Sequence, residues 1–122
     1  MTLNGRDSEV NNLEFSNKGI YLAASWKDQD VCRVFSLHKQ CAFTDFSLGA
    51  SNKINSLSFD IYGGYLAIGG TEALSLCCYR NWNQPLKVIK PFEGAVTSAK
   101  FSDSCRKLLI GGNDRALKMF SL

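Results

Sequence analysis

A pattern that repeats every 43 residues or so constrains this chain more than any other feature of its sequence. Three short segments of alternating polarity each end in phenylalanine, and these phenylalanines lie 44 and 42 residues apart. The segments are Val10–Phe15, Ile54–Phe59 and Val96–Phe101. Because further landmarks recur at the same offsets, the pattern predicts three copies of one structural unit.

Each copy is predicted to be a series of consecutive β-strands. A second, short apolar segment begins six residues after each phenylalanine, and a third apolar segment follows it. The second segments are Tyr21–Ser25, Tyr65–Gly70 and Lys107–Gly112, and the third are Val31–Leu37, Leu74–Tyr79 and Leu117–Leu122. More variable fourth strands are expected at about Ala42–Leu48 and Leu86–Ile89. No segment has the period and length of a helix, so the chain is predicted to be all-β, with four strands per copy.

Two kinds of turn position recur between these strands. Gly19 and Gly63 take equivalent places after the first strand, where a left-handed turn suits glycine, and Cys105 stands there in the third copy. An acidic residue recurs between the second and third strands, where it can bond to its own downstream backbone. These turn acids are Asp28, Glu72 and Asp114. Since the repeat period separates them, they are expected to stabilise separate turns, not to share one carboxylate site.

Composition excludes several classes of protein. The 122 residues are 45% hydrophobic and 20% charged, which is ordinary for a globular domain. There is no apolar run long enough for a transmembrane helix, and the polar residues 1–10 lack the apolar core of a signal peptide. The net charge is +3, without the clustering of Lys and Arg that is typical of electrostatic nucleic-acid binders.

The cysteines favour an intracellular protein with reduced thiols. Their number is odd and none are paired as C-x-x-C, which argues against a disulfide framework and a zinc site. They are Cys32, Cys41, Cys77, Cys78 and Cys105. Three of them fall in predicted third strands, where burial as small apolar side chains is expected. A cysteine-dependent enzyme stays open as an alternative, with Cys32 and the one histidine, His38, as the candidate pair.

The period and the four predicted strands per copy resemble the WD-repeat β-propeller family. Propellers of this family carry Trp-Asp at the end of the third strand, where this chain has Phe35-Ser36, Cys78-Tyr79 and Phe120-Ser121. Their Gly-His before the first strand is also absent. The copies are therefore predicted to be degenerate WD40-type blades over residues 10–53, 54–95 and 96–122, after a polar segment of residues 1–9.

The chain also resembles the C-terminal end of the pre-mRNA-processing factor 19 family over about residues 5–122, most clearly in residues 15–24, 56–72 and 113–122. That family combines an N-terminal U-box, a coiled coil and a WD-repeat propeller, and acts as a spliceosomal scaffold with ubiquitin-ligase activity. The resemblance implies a nuclear, non-enzymatic module without a cofactor. It would hold spliceosomal partners or ubiquitylation substrates for a U-box that has no counterpart in this sequence.

Three blades are expected to form an open arc, because propellers have four to eight blades and the last copy has no outer strand. The chain is therefore interpreted as part of a larger propeller of about seven blades. The apolar flank at each open side is expected to cause self-association, with a ring completed from two arcs as one arrangement.

A candidate partner-binding face is predicted where the turns between second and third strands meet the connections into each first strand. Exposed Trp and Arg are common anchors of protein interfaces. The residues expected on this face are Trp26, Lys27, Lys53, Glu93 and Arg115. The alternative for Trp26 is that it packs on its own blade. Trp82 is expected on the opposite face, between the third and fourth strands of the second blade.

Two further functions stay open. One is a WD-repeat scaffold unrelated to splicing, which the sequence upstream of Met1 would decide. The other is an RNA-binding platform that uses the slight positive charge, and salt-dependent binding of single-stranded RNA would support it.

Overall fold

The computed structural model describes residues 3, 8–16, 19–47, 52–60, 65–78, 81–89, 94–102, 107–113, 115 and 117–121. Eleven strands make up the regular structure of these residues. They are β1 (Val10–Phe15), β2 (Tyr21–Trp26), β3 (Val31–Ser36), β4 (Cys41–Ser47), β5 (Ile54–Phe59), β6 (Tyr65–Gly70), β7 (Leu74–Cys78), β8 (Asn81–Ile89), β9 (Val96–Phe101), β10 (Lys107–Gly112) and β11 (Leu117–Ser121).

The strands form three antiparallel sheets, as the repeat predicts. Strands β1–β4 make blade 1 and β5–β8 make blade 2, each in sequential order, while β9, β10 and β11 make blade 3. Every strand within a blade pairs with the next one along the chain, so each blade is a simple meander. The all-β prediction is confirmed; the repeat boundaries at residues 10, 54 and 96 stay a prediction.

The fourth strand of blade 2 is longer than the sequence predicts. Strand β8 begins at Asn81 instead of about Leu86, so Trp82 lies inside a strand and not in a connection. Pro85 pairs with Cys77 at a register shift, and β8 is the edge strand of its sheet. Proline has no N–H to donate, and edge strands and bulges are where a sheet tolerates it. The face expected for the Trp82 side chain lies outside what the structure describes.

A polar residue directly after each repeat phenylalanine closes the first hairpin of every blade. Its side-chain oxygen accepts a hydrogen bond from the N–H of the first residue of the second strand, at 2.9, 2.9 and 3.2 Å in blades 1, 2 and 3. The acceptors are Ser16, Asp60 and Ser102, and the donors are Tyr21, Tyr65 and Lys107. In blade 1 the intervening Gly19 has a φ of 65°, which confirms the predicted left-handed turn; Gly63 and Cys105 lie outside the described residues.

Two apolar layers join the three blades. The layer between blades 1 and 2 is formed by Ala23, Cys32, Val34, Phe46, Ile54, Leu57, Phe59, Leu66, Ile68 and Cys77. The layer between blades 2 and 3 is formed by Ala67, Leu74, Leu76, Val96, Ala99, Leu108 and Ile110. Blade 2 therefore contributes one set of side chains to each layer, because successive residues of a strand point to opposite sides of the sheet.

Candidate protein-interaction face

The connection into each first strand is bonded to the turn between the second and third strands of the same blade. Three equivalent backbone hydrogen bonds of 2.8, 3.0 and 3.1 Å make this link. The donors are the N–H groups of Lys27, Thr71 and Asn113, and the acceptors are the carbonyls of Glu9, Lys53 and Ala95. Turns and connections consequently lie together at one end of the blades, and we call this surface the turn face.

Lys53 ties the turn face of blade 1 to that of blade 2. Its Nζ donates to the Asp28 carbonyl of blade 1 at 2.9 Å, and its own N–H donates to Thr71 Oγ1 of blade 2 at 3.0 Å. The next residue, Ile54, donates its N–H to the Gln29 carbonyl at 3.2 Å. The lysine is thus bonded to blade 1 through its side chain and to the turn of its own blade through its backbone, although the residue is exposed.

A buried asparagine on this face is not predicted by the sequence. Asn52 is 7% exposed, and its Oδ1 accepts the Glu72 N–H at 2.9 Å. At the equivalent position of blade 1, the Ser8 hydroxyl donates to the Lys27 carbonyl at 2.9 Å. The three copies place different residues there, so the repeat contains no pattern that would point to Asn52.

The turn acids contribute to this face through their backbone. Asp28 has a φ of 60°, a left-handed conformation, and its carbonyl is the acceptor for Lys53. Glu72 donates its N–H to Asn52, and its side chain is exposed. Asp114 lies outside the described residues. The bond that the sequence predicts from an acidic side chain to its own turn therefore stays a prediction.

Trp26 does not lie in the turn where the sequence places it. It is the last residue of β2, is 2% exposed, and packs with Ala24 and Phe35. The guanidinium carbon of Arg33 lies 6.0 Å from the centre of its ring, at the outer limit for a cation–π contact. Trp26 therefore packs on its own blade, as the alternative predicts, and it does not offer an exposed indole ring as an interface anchor.

Three other residues of the predicted face are exposed, namely Lys27, Lys53 and Arg115, while Glu93 lies outside the described residues. Asp28 and Glu72 are also exposed. The face therefore carries both signs of charge.

The described residues do not assemble the cysteine–histidine pair of the enzyme alternative. Cys32 is completely buried in the layer between blades 1 and 2, and this burial, with a smaller effect of Cys77, raises the pKa of its thiol. His38 is exposed in the turn after β3. A neutral thiol without access to solvent is a structural side chain, because the thiolate is the nucleophile. Cys77 is likewise buried and Cys41 is exposed; the Cys78 side chain and Cys105 are outside the description.

Neither a metal cluster nor a membrane span is found in the part of the chain that the structure describes. No group of three or more His, Cys, Asp or Glu side chains there could hold a metal ion. The same residues contain no helix long and apolar enough to cross a bilayer.

Comparison with known proteins defines the class of this fold. The family described as "WD domain, G-beta repeat" matches residues 83–121. A crystal structure of the WD40 repeats of RRP9 superposes with a TM-score of 0.87 at 16% identity, covering 98% of this chain and 37% of that one. The structure of U3-55K gives the same TM-score and identity, with 98% and 38% covered. The three sheets are WD40-type propeller blades, and they correspond to part of a larger propeller.

The sequence similarity is more specific than the fold. The chain is 29% identical over 123 residues to pre-mRNA-processing factor 19 homolog 2 of Arabidopsis thaliana, covering 97% of this chain and 22% of that protein. It is 30% identical over 122 residues to pre-mRNA-processing factor 19 of Oryza sativa subsp. japonica, covering 95% and 23%. Identity to the Homo sapiens protein is 32% over 80 residues, covering 66% and 16%. The resemblance to the WD-repeat region of pre-mRNA-processing factor 19 is thereby confirmed, and the chain spans less than a quarter of the length of these relatives.

Proposed function

We propose that this chain displays its turn face to protein partners in a nuclear pre-mRNA splicing assembly. The observation that carries the proposal is the way Lys27 and Lys53 are held. Both are exposed, yet hydrogen bonds fix the backbone of each to its neighbouring connection or turn. Because the backbone is already fixed, binding does not have to order these loops, which favours affinity.

The blades also hold one another at a fixed spacing. Asn11 Nδ2 of blade 1 donates to the Ile54 carbonyl at 3.4 Å, and the equivalent Asn55 of blade 2 donates to the Val96 carbonyl at 3.0 Å. Together with the two apolar layers, these bonds support a mechanism of rigid display. Partner surfaces would then recognise the spacing of the turns as well as their side chains.

Similarity to the pre-mRNA-processing factor 19 proteins supports splicing proteins as the partner class. We infer that the intact protein uses this region to hold spliceosomal partners or ubiquitylation substrates for a U-box ligase. Contact with RNA would be at most indirect, because the turn face mixes acidic and basic groups and lacks the uniform positive charge of an RNA-binding surface.

The test is affinity purification of the tagged 122-residue chain from nuclear extract, with spliceosomal proteins quantified by mass spectrometry. Lys27→Glu reverses a charge on the turn face without touching the backbone bond to Glu9, and we expect it to lower recovery about fivefold or more, as loss of an interface anchor does. Lys39→Glu is the matched control, since Lys39 is also exposed but lies in the turn between β3 and β4, at the opposite end of blade 1.

Equal recovery with both variants would reject the turn face, and no enrichment of spliceosomal proteins by the parent chain would reject the splicing assignment. Enrichment that disappears after ribonuclease treatment, together with salt-dependent binding of the purified chain to single-stranded RNA, would favour the RNA platform instead.

A further inference from the structure

The joint between blades 1 and 2 differs from the joint between blades 2 and 3, where a joint means the apolar layer and the hydrogen bonds between two neighbouring blades. Hydrogen bonds of 3.4, 3.2, 2.9 and 3.2 Å cross the first joint. In this order, the donors are Asn11, Asn12, Lys53 and Ile54, and the acceptors are the carbonyls of Ile54, Asn55, Asp28 and Gln29. Among the described residues, only the first of these bonds recurs in the second joint, from Asn55 to the Val96 carbonyl at 3.0 Å.

Two of the bonds do not recur because the turn face of blades 2 and 3 has different residues. Ala95 takes the position of Lys53 and has no side-chain donor. Ala73 takes the position of Gln29, and its carbonyl accepts the Gly70 N–H of its own blade at 2.9 Å. At these points the turn of blade 2 is therefore not bonded to the connection into blade 3, whereas the turn of blade 1 is bonded to the connection into blade 2.

The absence of the third bond leaves a buried hydroxyl without a partner. In blade 1, Asn12 Nδ2 donates to Ser25 Oγ at 3.1 Å as well as across the joint. The equivalent pair in blade 2 is Ser56 and Gly69, so the side chain is shorter and the hydroxyl that would accept from it is missing. Ser56 Oγ is buried and forms no hydrogen bond among the described residues. Because hydration would satisfy this group, its burial favours opening of the second joint.

The second joint is held mainly by apolar contact. Val96 is 1% exposed, and its Cγ1 would lie 2.8 Å from a Cβ at Gly69. The hydrophobic effect is non-directional, whereas hydrogen bonds require a defined distance and angle. The second joint therefore resists separation, but it specifies the angle between its blades less strictly than the first joint does.

We propose that the joint between blades 2 and 3 opens locally while blades 1 and 2 move as one body. Opening the first joint breaks four bonds, whereas opening the second breaks one and hydrates Ser56 Oγ. Local openings of this kind need less free energy than global unfolding. The turns of blades 1 and 2 then keep their spacing, and the turn of blade 3, with the exposed Arg115, moves against them. The turn face therefore has a fixed part and an adjustable part.

Two alanines offer a matched pair of probes. Ala23 in the first joint and Ala67 in the second occupy the same repeat position, and both are 0% exposed. Ala23→Cys and Ala67→Cys are each introduced into the 122-residue chain, which is alkylated under native conditions and analysed by peptide mass spectrometry. Relative to the rates in the unfolded chain, Ala67→Cys should be labelled at least ~10-fold faster than Ala23→Cys, because its joint opens with the loss of fewer hydrogen bonds.

Exchanging the residues at one turn-face position tests whether the hydrogen bonds are the cause. Lys53→Met removes the donor from the first joint and should speed the labelling of Ala23→Cys about threefold to tenfold, the value of one hydrogen bond. Ala95→Lys supplies a donor for the Glu72 carbonyl and should slow the labelling of Ala67→Cys by a similar factor. Each substitution should leave the labelling of the other joint unchanged.

Two control variants separate the bonds from other effects of these substitutions. Ala95→Met adds an apolar side chain without the ammonium group and should not slow labelling of the second joint. Lys39→Met removes an exposed lysine at the opposite end of blade 1 and should not speed labelling of the first. Urea denaturation verifies that the cysteine variants fold with similar stability. If they do not, the native Cys32 and Leu74→Cys form a second pair, since these equivalent positions of the third strands are both 0% exposed.

Equal labelling of the two joints, or faster labelling of the first, would overturn the proposal. Faster labelling of the second joint that Ala95→Lys does not slow would also overturn it, because the missing bonds would then not be the cause. A labelling rate that rises with urea as steeply as global unfolding would show that the whole chain must unfold, with the same consequence. None of these measurements involves a partner, so this proposal and the proposed function can fail separately.

Discussion

Blade 2 and blade 1 are built from the same repeat, but they differ in how much of it they bury. Blade 2 has a neighbour on each side, and its central strand residues Leu66, Ala67 and Ile68 are all at most 1% exposed. Blade 1 has one neighbour, and Leu13 and Phe15 of its first strand are more than half exposed. In the first strands, burial at a repeat position therefore depends on the adjacent blade and not on the residue type, whereas Ala24 and Phe35 on the same side of blade 1 are buried within a separate cluster. Identical side chains in this chain should therefore contribute very different amounts to stability.

The largest effect should come from one leucine position in two blades. Leu57→Ala removes a side chain that is 5% exposed in the layer between blades 1 and 2, and should lower the free energy of unfolding by about 2–5 kcal/mol. Leu13→Ala changes the same repeat position where it is 60% exposed, and should change stability by less than ~0.5 kcal/mol. Urea denaturation at a concentration where the chain is monomeric measures both. Equal losses would contradict the idea that the neighbouring blade sets the value of the position.

An intermediate effect is expected from two equivalent glycines. A Cβ at Gly69 would lie 2.5 Å from Ser56 Oγ and 2.8 Å from Val96 Cγ1, whereas a Cβ at Gly111 would lie 3.1 Å from Ser98 Oγ. Gly69→Ala should therefore destabilise by about 1–3 kcal/mol through overpacking. Gly111→Ala should be near neutral, because the reduced freedom of the unfolded chain offsets its milder crowding. Thermal unfolding measures the stability of both variants. If Gly111→Ala lost as much stability as Gly69→Ala, the backbone conformation of glycine would determine the effect, and not the close contact of Gly69 with Val96 of blade 3.

The smallest effect is expected for two cysteines, of which Cys32 is buried in the layer between blades 1 and 2 and Cys41 is exposed. Native alkylation followed by peptide mass spectrometry should label the exposed Cys41 at least ~100-fold faster than the buried Cys32, whose raised pKa keeps it protonated. Since the folded pKa of Cys32 lies above its ordinary value of 9.0, the associated stability is complete below pH 9 and is lost as the pH rises further. The decline is at most about 1.4 kcal/mol per pH unit for one group.

The control for this prediction is Cys32→Ala, which should reduce the decline of stability above pH 9 without changing the labelling of Cys41. Rapid labelling of Cys32 in the native chain would mean that the layer between blades 1 and 2 opens readily. Cys32 would then be accessible to solvent, as Leu13 is, even though a blade packs on it.

Most of the strand pattern can be predicted from the sequence, because alternation, repeat phenylalanines and turn glycines all point to the same period. The early start of β8 cannot, since Pro85 suggests a break, and only its place on an edge strand at a register shift makes it harmless. The burial of Trp26 is not predicted for another reason. The equivalent residues Gly70 and Gly112 end the second segments of the other copies and so favour a strand here, but glycine gives no indication that a large side chain at this position is buried.

For the turn face, the sequence predicts which loops meet but not what holds them. The backbone bonds from Lys27 and Thr71 follow from the repeat, because they need only the same chain path in each copy. The Asn52 contact depends on a side chain that blades 1 and 3 do not share, and the Lys53 bond to Asp28 joins two different copies. A contact between two copies, such as that of Lys53 with Asp28, depends on how the blades are placed against one another, which the local sequence pattern does not encode.

The asparagine hydrogen bonds between blades constrain the sequence of the donor blade more than that of the acceptor blade. The donors at positions 11 and 55 must be asparagine side chains, whereas the acceptors at Ile54 and Val96 are main-chain carbonyls, which every residue has. At this bond, the following blade can therefore change the side chain at the acceptor position and still be bound by the blade before it. Since the bond needs neither of the family's dipeptides, it is one contact through which blades that have lost them can still stack in order.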